Sequence, residues 1–202
     1  LYDILTKIQE TGKKASGLTQ KLLAFSRRQV LQPKVLDVAK LIVNLSEMFN
    51  RVIGEDIELK MEFEPNLGHV YVDQGSLEQV LMNLSINARE AMPRGGVLTI
   101  QVMNIQLDEN FCSLHPYVKP GSYVKISCKD TGVGMDESTL PHIFEPFFTT
   151  KRQGTGLGLA MVYGIVKQHK GYIMASSKIG EGANFEIYFP LHRGPEIQEP
   201  LR

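Results

Sequence analysis

Apolar side chains recur along the first 29 residues at alternating steps of three and four positions. The stripe consists of Ile4, Ile8, Ala15, Leu18, Leu22 and Phe25. Because residues three and four apart lie on one face of a helix, the pattern predicts a long helix that ends before Pro33. The heptad-like spacing favours a partner helix, in a hairpin or a dimer, over packing on the chain's own domain.

Beyond this helix, helical and strand-like patterns follow one another without strict alternation. Asp37 is predicted to cap a helix over residues 37–52. Apolar and charged residues then alternate, which predicts a strand at 57–63. A shorter strand at 69–72 is expected to pair with it across a turn at 65–66.

A long helix capped by Asp73 is predicted next, and its apolar residues share one face. They are Leu77, Val80, Leu81, Leu84, Ala88 and Ala91. Pro93 and the glycine pair that follows it end the helix. Asn83 and Asn87 lie one turn apart on this helix, so their amide groups point to the same place.

The rest of the pattern predicts two strands, an irregular stretch at 112–120, a helix and a closing antiparallel hairpin. The strands and the helix occupy residues 97–105, 122–129, 155–170, 172–176 and 184–189. This order favours an α+β fold, a two-layer α/β sandwich with a mixed, mostly antiparallel sheet and helices on one face, preceded by the long N-terminal helix. The expected parts are the helix at 1–32, a domain at 33–191 and a tail of linker composition at 192–202.

Composition excludes several function classes. The chain has 22 basic and 22 acidic residues, so no net field favours nucleic acid and no basic run favours contact with a membrane. Cys112 and Cys128 lack metal-ligand spacing and suit a reducing compartment, so we expect a cytoplasmic location. The start at Leu1, inside a helical pattern, indicates a fragment of a longer protein that could carry a membrane anchor upstream.

Burying the amides of Asn83 and Asn87 on an otherwise apolar helix would cost folding free energy unless they bind a ligand. A neutral amide oxygen suits Mg2+, which prefers a few protein oxygens supplemented by phosphate and water. We therefore expect Asn87 to hold Mg2+, with Asn83 in the same site. An amide that only satisfies a neighbouring backbone group is the alternative.

Two glycine-rich segments suggest where a nucleotide would lie. Asp130 ends an apolar strand and is followed by Gly132 and Gly134, which let the backbone approach a flat ligand, and its carboxylate could accept from an adenine amino group. Such a turn also occurs without any ligand. The second segment precedes a helix and can cradle phosphates, although it lacks the Walker Gly-Lys-Ser/Thr sequence. It reads Gly154-Thr155-Gly156-Leu157-Gly158.

The segment at 144–153, between the two glycine segments, is interpreted as a lid. It contains Phe144, Phe147, Phe148, Thr149, Thr150, Lys151 and Arg152. The aromatic residues can pin the lid by packing, while Lys151 or Arg152 could reach an ATP phosphate. The alternative makes the phenylalanines ordinary core residues and leaves Lys151 solvated.

These segments in this order resemble the catalytic and ATP-binding domain of a sensor histidine kinase. Its Bergerat fold is shared with gyrase, the ninety-kilodalton heat-shock chaperone and mismatch-repair ATPases. The matching segments are 83–87, 130–134, 144–148, 154–158 and the closing glycine motif at 180–185. The resemblance covers residues 33–191, and 87–92 and 147–151 are similar to the nitrogen-regulatory and hybrid-kinase branch.

The resemblance implies that ATP and Mg2+ bind, with Asp130 contacting adenine and Asn87 holding the metal. The residues implied in cofactor binding are Asn83, Asn87, Arg89, Asp130, Gly132, Gly134, Phe144, Thr149, Thr150, Lys151, Gly154, Thr155, Gly156, Leu157 and Gly158. Asn83 and Lys151 are the implied catalytic residues. Many members have lysine and tyrosine where this chain has Glu90 and Ala91, so Arg89 is expected to take over the phosphate role.

The implied activity is that of a protein-histidine kinase acting in a two-component system. The phosphoacceptor histidine is expected upstream of Leu1, because residues 1–29 resemble only the second helix of the dimerising hairpin. Expected partners are a second copy, through that helix, and a response-regulator receiver domain, separate or fused downstream. Two alternatives remain: a non-catalytic nucleotide-sensing or dimerisation module, and an ATP-hydrolysing member, which would use a glutamate where this chain has Asn83.

Overall fold

The computed structural model describes residues 31–115, 117–151 and 154–194. The predicted helix over residues 1–29 and most of the predicted tail lie outside the described residues. The division of the chain into these parts therefore stays a prediction.

The described chain alternates irregularly between strands and helices. In order, the elements are β1 (Pro33–Leu36), α1 (Val38–Asn44), α2 (Ser46–Ile53), β2 (Ile57–Phe63), β3 (Val70–Asp73), α3 (Gln74–Ala91), β4 (Gly96–Leu107), α4 (Glu109–Leu114), β5 (Gly121–Asp130), a 3-10 turn (Leu140–His142), α5 (Gly158–Gln168), β6 (Tyr172–Lys178) and β7 (Gly182–Pro190).

Five strands form the main sheet in the order β2-β4-β5-β7-β6, in which only the β2–β4 pair is parallel. The predicted mixed, mostly antiparallel sheet and the closing β6–β7 hairpin are confirmed. The predicted hairpin between β2 and β3 is wrong, because β3 pairs with β1 in a separate two-stranded sheet.

The physical reason for the error lies in the link between β2 and β3. Glu64 accepts from the backbone N–H of Asn104 (2.6 Å), and Asn104 Oδ1 accepts from Gly68 N (2.8 Å), so the link is held against β4. Val70 and Val72 of β3 are then buried in the core. The alternation of β2 is satisfied instead by β4, which supplies a partner along its whole length.

Helices α1, α2, α3 and α5 cover one face of the main sheet, and their apolar residues share one core with it. Asp37 caps α1 by accepting from Lys40 N (3.0 Å), as predicted, but the helix expected over 37–52 is divided at Leu45 into α1 and α2. Asp73 caps α3 in the same way, accepting from Ser76 N (2.8 Å). This cap fixes where the long helix begins.

The opposite face of the sheet carries a smaller cluster. Tyr123 packs there with Leu107 and Tyr188, whereas its neighbour Val124 belongs to the main core, as alternation along a strand requires. The stretch expected to be irregular contains part of α4, whose N-terminus is capped by Asp108 (2.8 Å to Phe111 N). Phe111 brings α4 onto this cluster.

Candidate nucleotide-binding site

A cavity of about 660 Å³ opens between α3, α5 and the segment that joins the 3-10 turn to α5. Its lining includes most of the residues expected to bind the nucleotide. These are Asn83, Asn87, Asp130, Gly134, Thr149, Thr150, Lys151, Gly154, Thr155, Gly156, Leu157 and Gly158. A pocket of this size and mixed polarity is typical of a small-molecule site.

Helix α3 presents its two asparagines to the cavity because its opposite face is fixed in the core by buried residues such as Leu81 and Leu84. Asn83 Nδ2 lies 3.9 Å from Met161 Sδ on α5. Asn87 Oδ1 lies 3.5 Å from Lys151 Nζ, and its buried Nδ2 has no hydrogen-bond partner among the described residues. A buried amide donor without a hydrogen-bond partner costs folding free energy, which indicates that a ligand supplies the missing acceptor.

Asp130 stands at the end of β5, where it is 4% exposed. Its Oδ1 accepts from the backbone N–H groups of Gly132 (2.8 Å) and Ala183 (3.2 Å). Burial raises the pKa of this carboxyl, while the two backbone donors and the charge of Lys151 act in the opposite direction. Both of these bonds are made by Oδ1, and Oδ2 takes part in neither.

Glycine is required at two points of the lining by the backbone itself. Gly134 has a φ of +68°, and a Cβ there would lie 2.0 Å from the carbonyl oxygen of Lys178. Gly156 has a φ of +65°, and its Cβ would lie 2.3 Å from the carbonyl carbon of Phe147. Any side chain at these positions would therefore displace the walls of the cavity.

Helix α5 begins at Gly158 with free backbone donors. No side chain of the described residues caps its first turn, and the preceding residue, Leu157, is buried. The N–H groups of a first helical turn have no partner within the helix and carry the positive end of its dipole. The start of α5 at the cavity can therefore bind phosphate oxygens.

The segment interpreted as a lid contributes Phe148, Thr149, Thr150 and Lys151 to the lining. Thr149 Oγ1 accepts from the backbone N–H of Lys151 (3.1 Å). The ammonium of Lys151 forms an ion pair with Glu90, which lies one turn beyond Asn87 on α3. The Lys151 ammonium therefore lies beside Asn87, the residue expected from the sequence to bind the metal.

Three expected residues do not line the cavity. Arg89 is paired with Asp56, its Nη1 lying 2.5 and 2.6 Å from the carboxylate oxygens and lowering the pKa of Asp56. The ring of Phe144 packs on that of Tyr163 at 5.6 Å. Gly132 instead allows close packing, because a Cβ there would lie 2.5 Å from the carbonyl oxygen of Ala91.

Sequence reasoning missed other residues of the cavity. Ala183 and Phe185 come from β7, Met161 comes from α5, and Glu90 comes from α3. Glu90 could have been found, because it is one turn from Asn87 and therefore faces the same way. Ala183 lies in the closing glycine motif at 180–185, but its contact with Asp130 could not have been found, since only the tertiary fold brings β7 beside the end of β5.

Residues 72–193 match the family described as histidine kinase-, DNA gyrase B- and HSP90-like ATPases. The chain belongs to this family. The Bergerat fold expected from the sequence is thereby confirmed, as is the resemblance to the ATP-binding domain of a sensor histidine kinase. The proposed branch within the kinases stays a prediction.

Curated relatives of this ATPase family member include sensor kinases. The chain is 43% identical to sensor kinase CckA of Brucella abortus over 92% of its length, and 35% identical to sensor histidine kinase ZraS of Klebsiella oxytoca over 87%. It spans only 20% and 35% of these two proteins.

Solved structures agree with this assignment. Full-length ShkA in complex with AMPPNP superposes with a TM-score of 0.73 and 25% identity, covering 92% of this chain and 38% of ShkA. The mycobacterial sensor histidine kinase MprB gives a TM-score of 0.62 and 25% identity, covering 80% of this chain and 98% of the matched one. Within the described parts of this ATPase domain, no helix is both long and apolar enough to cross a membrane.

Proposed function

We propose that this chain is the ATP-binding catalytic domain of a two-component sensor histidine kinase. It transfers the γ-phosphoryl group of ATP to a histidine upstream of residue 1, from which an aspartate of a response-regulator receiver domain receives it. One observation supports this above the others. A single cavity joins two helical amides, a buried carboxylate, an uncapped helix start and a lysine.

Asp130 contacts the adenine in this proposal. Its Oδ1 is engaged by Gly132 N and Ala183 N, which fixes the plane of the carboxylate. We assign Oδ2 to the amino group of adenine, a donor that a carboxylate recognises and an amide N–H group would not. Gly134 lines the same part of the cavity and leaves its wall free of a side chain there.

The triphosphate lies along the second glycine segment and the start of α5. The donors are the backbone N–H groups of residues 154–158, helped by the hydroxyls of Thr149 and Thr150 and by the ammonium of Lys151. Asn83 faces the same end of the cavity. Fixed donors around a phosphoryl group stabilise the charge that develops during its transfer.

Mg2+ fits the residues present. The Asn87 amide oxygen is a ligand of the type that this ion prefers, and the ion would neutralise phosphate charge. Lys151 stands within 3.5 Å of the same oxygen, so the site already accommodates a cation. Phe144, the first residue of the lid, packs on Tyr163 of α5 and thereby fixes the lid to that helix. A direct contact of Phe144 or Arg89 with the nucleotide stays a prediction.

Phosphoryl transfer is favoured over hydrolysis by the chemistry of Asn83. An amide has no basic lone pair that could take a proton from water, so Asn83 cannot serve as the general base that an ATP-hydrolysing relative would need. The base for transfer would come from an acid beside the upstream histidine. The second copy that joins through the N-terminal helix would complete the kinase, in the cytoplasm.

Calorimetry with AMPPNP, with and without Mg2+, tests the binding half of this proposal. We expect one nucleotide per chain, bound more tightly with the metal. Incubation with radiolabelled ATP tests the other half, and we expect neither steady phosphate release nor label on the chain itself. Acid-labile phosphohistidine on the chain, or turnover at ordinary enzyme rates, would refute the assignment as a donor domain, and absence of nucleotide binding would favour the non-catalytic module.

A further inference from the structure

Lys151 does not lie free at the rim of the cavity. Its ammonium is held between two oxygens, the Asn87 Oδ1 at 3.5 Å and a carboxylate oxygen of Glu90 with which it forms an ion pair. Both oxygens belong to α3, and Glu90 lines the cavity together with Asn87. One cation thus bridges two oxygen ligands that are three positions apart on one helix.

This pair of oxygens is the kind of site that Mg2+ uses beside a nucleotide. The ion takes one or two protein oxygens, at least one of them a carboxylate, and completes its shell with phosphate and water. An amide and a carboxylate at positions i and i+3 point in the same direction, so one ion can meet both. The ammonium of Lys151 marks the place as favourable for positive charge.

We propose that Glu90 is the second protein anchor of the metal, beside Asn87. This inference rests on the proposed function, because the metal arrives with the nucleotide. With the nucleotide bound, the oxygens of Asn87 and Glu90 would hold Mg2+, which would neutralise phosphate charge, and the ammonium of Lys151 would leave Glu90 and pair with the phosphates. Each charged group would keep a partner of opposite charge in this exchange. Lys151 would leave Glu90 and pair with the phosphates, and Glu90 would pair with Mg2+.

The exchange is energetically accessible. The side chains of Lys151 and Glu90 are 42% and 50% exposed, and exposed ion pairs contribute little to stability. A divalent ion at the same place interacts with Glu90 about twice as strongly as a monovalent ammonium at equal distance. The ion pair is therefore a replaceable occupant of the site.

Glu90 also has an effect of opposite sign when the metal is missing. A carboxylate beside a triphosphate repels it, so Glu90 weakens the binding of metal-free nucleotide and strengthens the binding of its magnesium complex. A residue that merely positions Lys151 would change both affinities in one direction. The ratio of the dissociation constant without Mg2+ to that with Mg2+ therefore distinguishes a residue that binds the metal from one that only positions Lys151.

The test measures AMPPNP binding by calorimetry, in excess Mg2+ and in EDTA, for the unaltered chain and for Glu90→Gln. We expect the ratio of the dissociation constant in EDTA to that in Mg2+ to fall about tenfold, the lower end of what losing a supporting group costs a metal site. Glu90→Asp, which keeps the charge, should retain part of the ratio. Glu137→Gln removes a charge that is also exposed but lies outside the cavity, and it should leave the ratio unchanged.

The same measurements in a Lys151→Met background complete the test. Glu90 acts on the metal if Glu90→Gln still lowers the ratio when the lysine is absent. The proposal is overturned if Glu90→Gln shifts both constants by one factor, or if its effect disappears with Lys151. If the unaltered chain binds no nucleotide in either buffer, the proposed function itself falls, which is distinguishable from loss of the metal effect alone.

Discussion

Replacing Asp130 by asparagine tests the adenine contact without dismantling the site. The amide oxygen of Asp130→Asn can keep the hydrogen bonds from Gly132 N and Ala183 N, which lie at 2.8 and 3.2 Å. The second atom of the side chain changes from an acceptor to a donor. It then faces the adenine amino group, which is also a donor, so the contact proposed for ATP is lost.

The expected loss follows from the kind of bond removed. Hydrogen bonds to a charged group contribute about 1.5–3 kcal/mol, so ATP affinity should fall about ten- to hundredfold. Asp130→Ala is the harsher change, because it leaves the two backbone donors of Gly132 and Ala183 buried without this acceptor. Each such orphaned donor costs about 1–3 kcal/mol of folding stability.

The assay compares ATP with ITP, whose base carries a carbonyl oxygen where adenine has its amino group. The unaltered chain should prefer ATP, and Asp130→Asn should reduce or reverse that preference, since its amide N–H can donate to the carbonyl. Circular dichroism and thermal melting show whether the variant is folded. A folded Asp130→Asn protein that binds ATP and ITP in the original ratio would refute the role of Asp130 in base recognition.

The same variant carries a signature in the pH dependence of stability. Because burial raises the pKa of Asp130, the folded state binds the proton more tightly than the unfolded state. Its contribution to stability then falls as pH rises from the unfolded pKa through the folded one, and the penalty is constant above that range. Asp130→Asn lacks this penalty, so its stability relative to the unaltered chain should be greater at neutral than at acidic pH in urea unfolding.

Three further predictions use other residues of the domain. Gly156→Ala should weaken AMPPNP binding at least tenfold and lower Tm, because its Cβ would meet the Phe147 backbone, whereas Gly164→Ala, with no described neighbour within 4 Å, should stabilise α5 by about 0.5–1 kcal/mol. Lys151→Met should lower AMPPNP affinity more than Arg89→Ala, whose guanidinium is held by Asp56, in the same calorimetric assay. Burial raises the pKa of Cys128 to about 12, so Ellman's reagent should not modify this thiol at pH 8 until urea unfolds the chain.

The sequence predicts the parts of the site that one helix or one turn determines. The apolar face of α3 fixes the direction of Asn83 and Asn87, because residues buried at a helical period leave the other face to the cavity. Gly134 and Gly156 were found for a similar reason. Their positive φ angles are a local requirement of the backbone, and glycine is the residue type that meets it most readily.

Pairing between distant strands could not be predicted in this way. The alternation in β2 says that one of its faces is buried, but it does not say which strand lies beside it. The apparent turn at residues 65–66 suggested β3, whereas Glu64 and Asn104 tie that link to β4. The error moved no residue of the candidate site, because the positions of Asn83 and Asn87 depend on the cap at Asp73 and on the core face of α3.

The sequence also could not predict which side chains pair with each other around the cavity. Arg89 and Glu90 are adjacent, yet they diverge: Arg89 turns to Asp56 in the loop before β2, and Glu90 turns to Lys151 at the cavity. Successive residues on a helix are separated by about 100°, so at most one of them can face the nucleotide squarely. A phosphate contact by Arg89 stays a prediction, and the residues that line the cavity on the same face of the helix as Asn87 are Asn83 and Glu90.

The charged and polar groups of the proposed metal site therefore come from two different elements. Helix α3 supplies only neutral and negative oxygens, from Asn83, Asn87 and Glu90, while the positive charge comes from Lys151 on the segment before α5. A lysine on the rigid helix would attract phosphate whether or not a metal were present. In the proposed site, a glutamate there would repel phosphate until Mg2+ is bound, so the helix would favour the magnesium complex, and Lys151 would then pair with the phosphates.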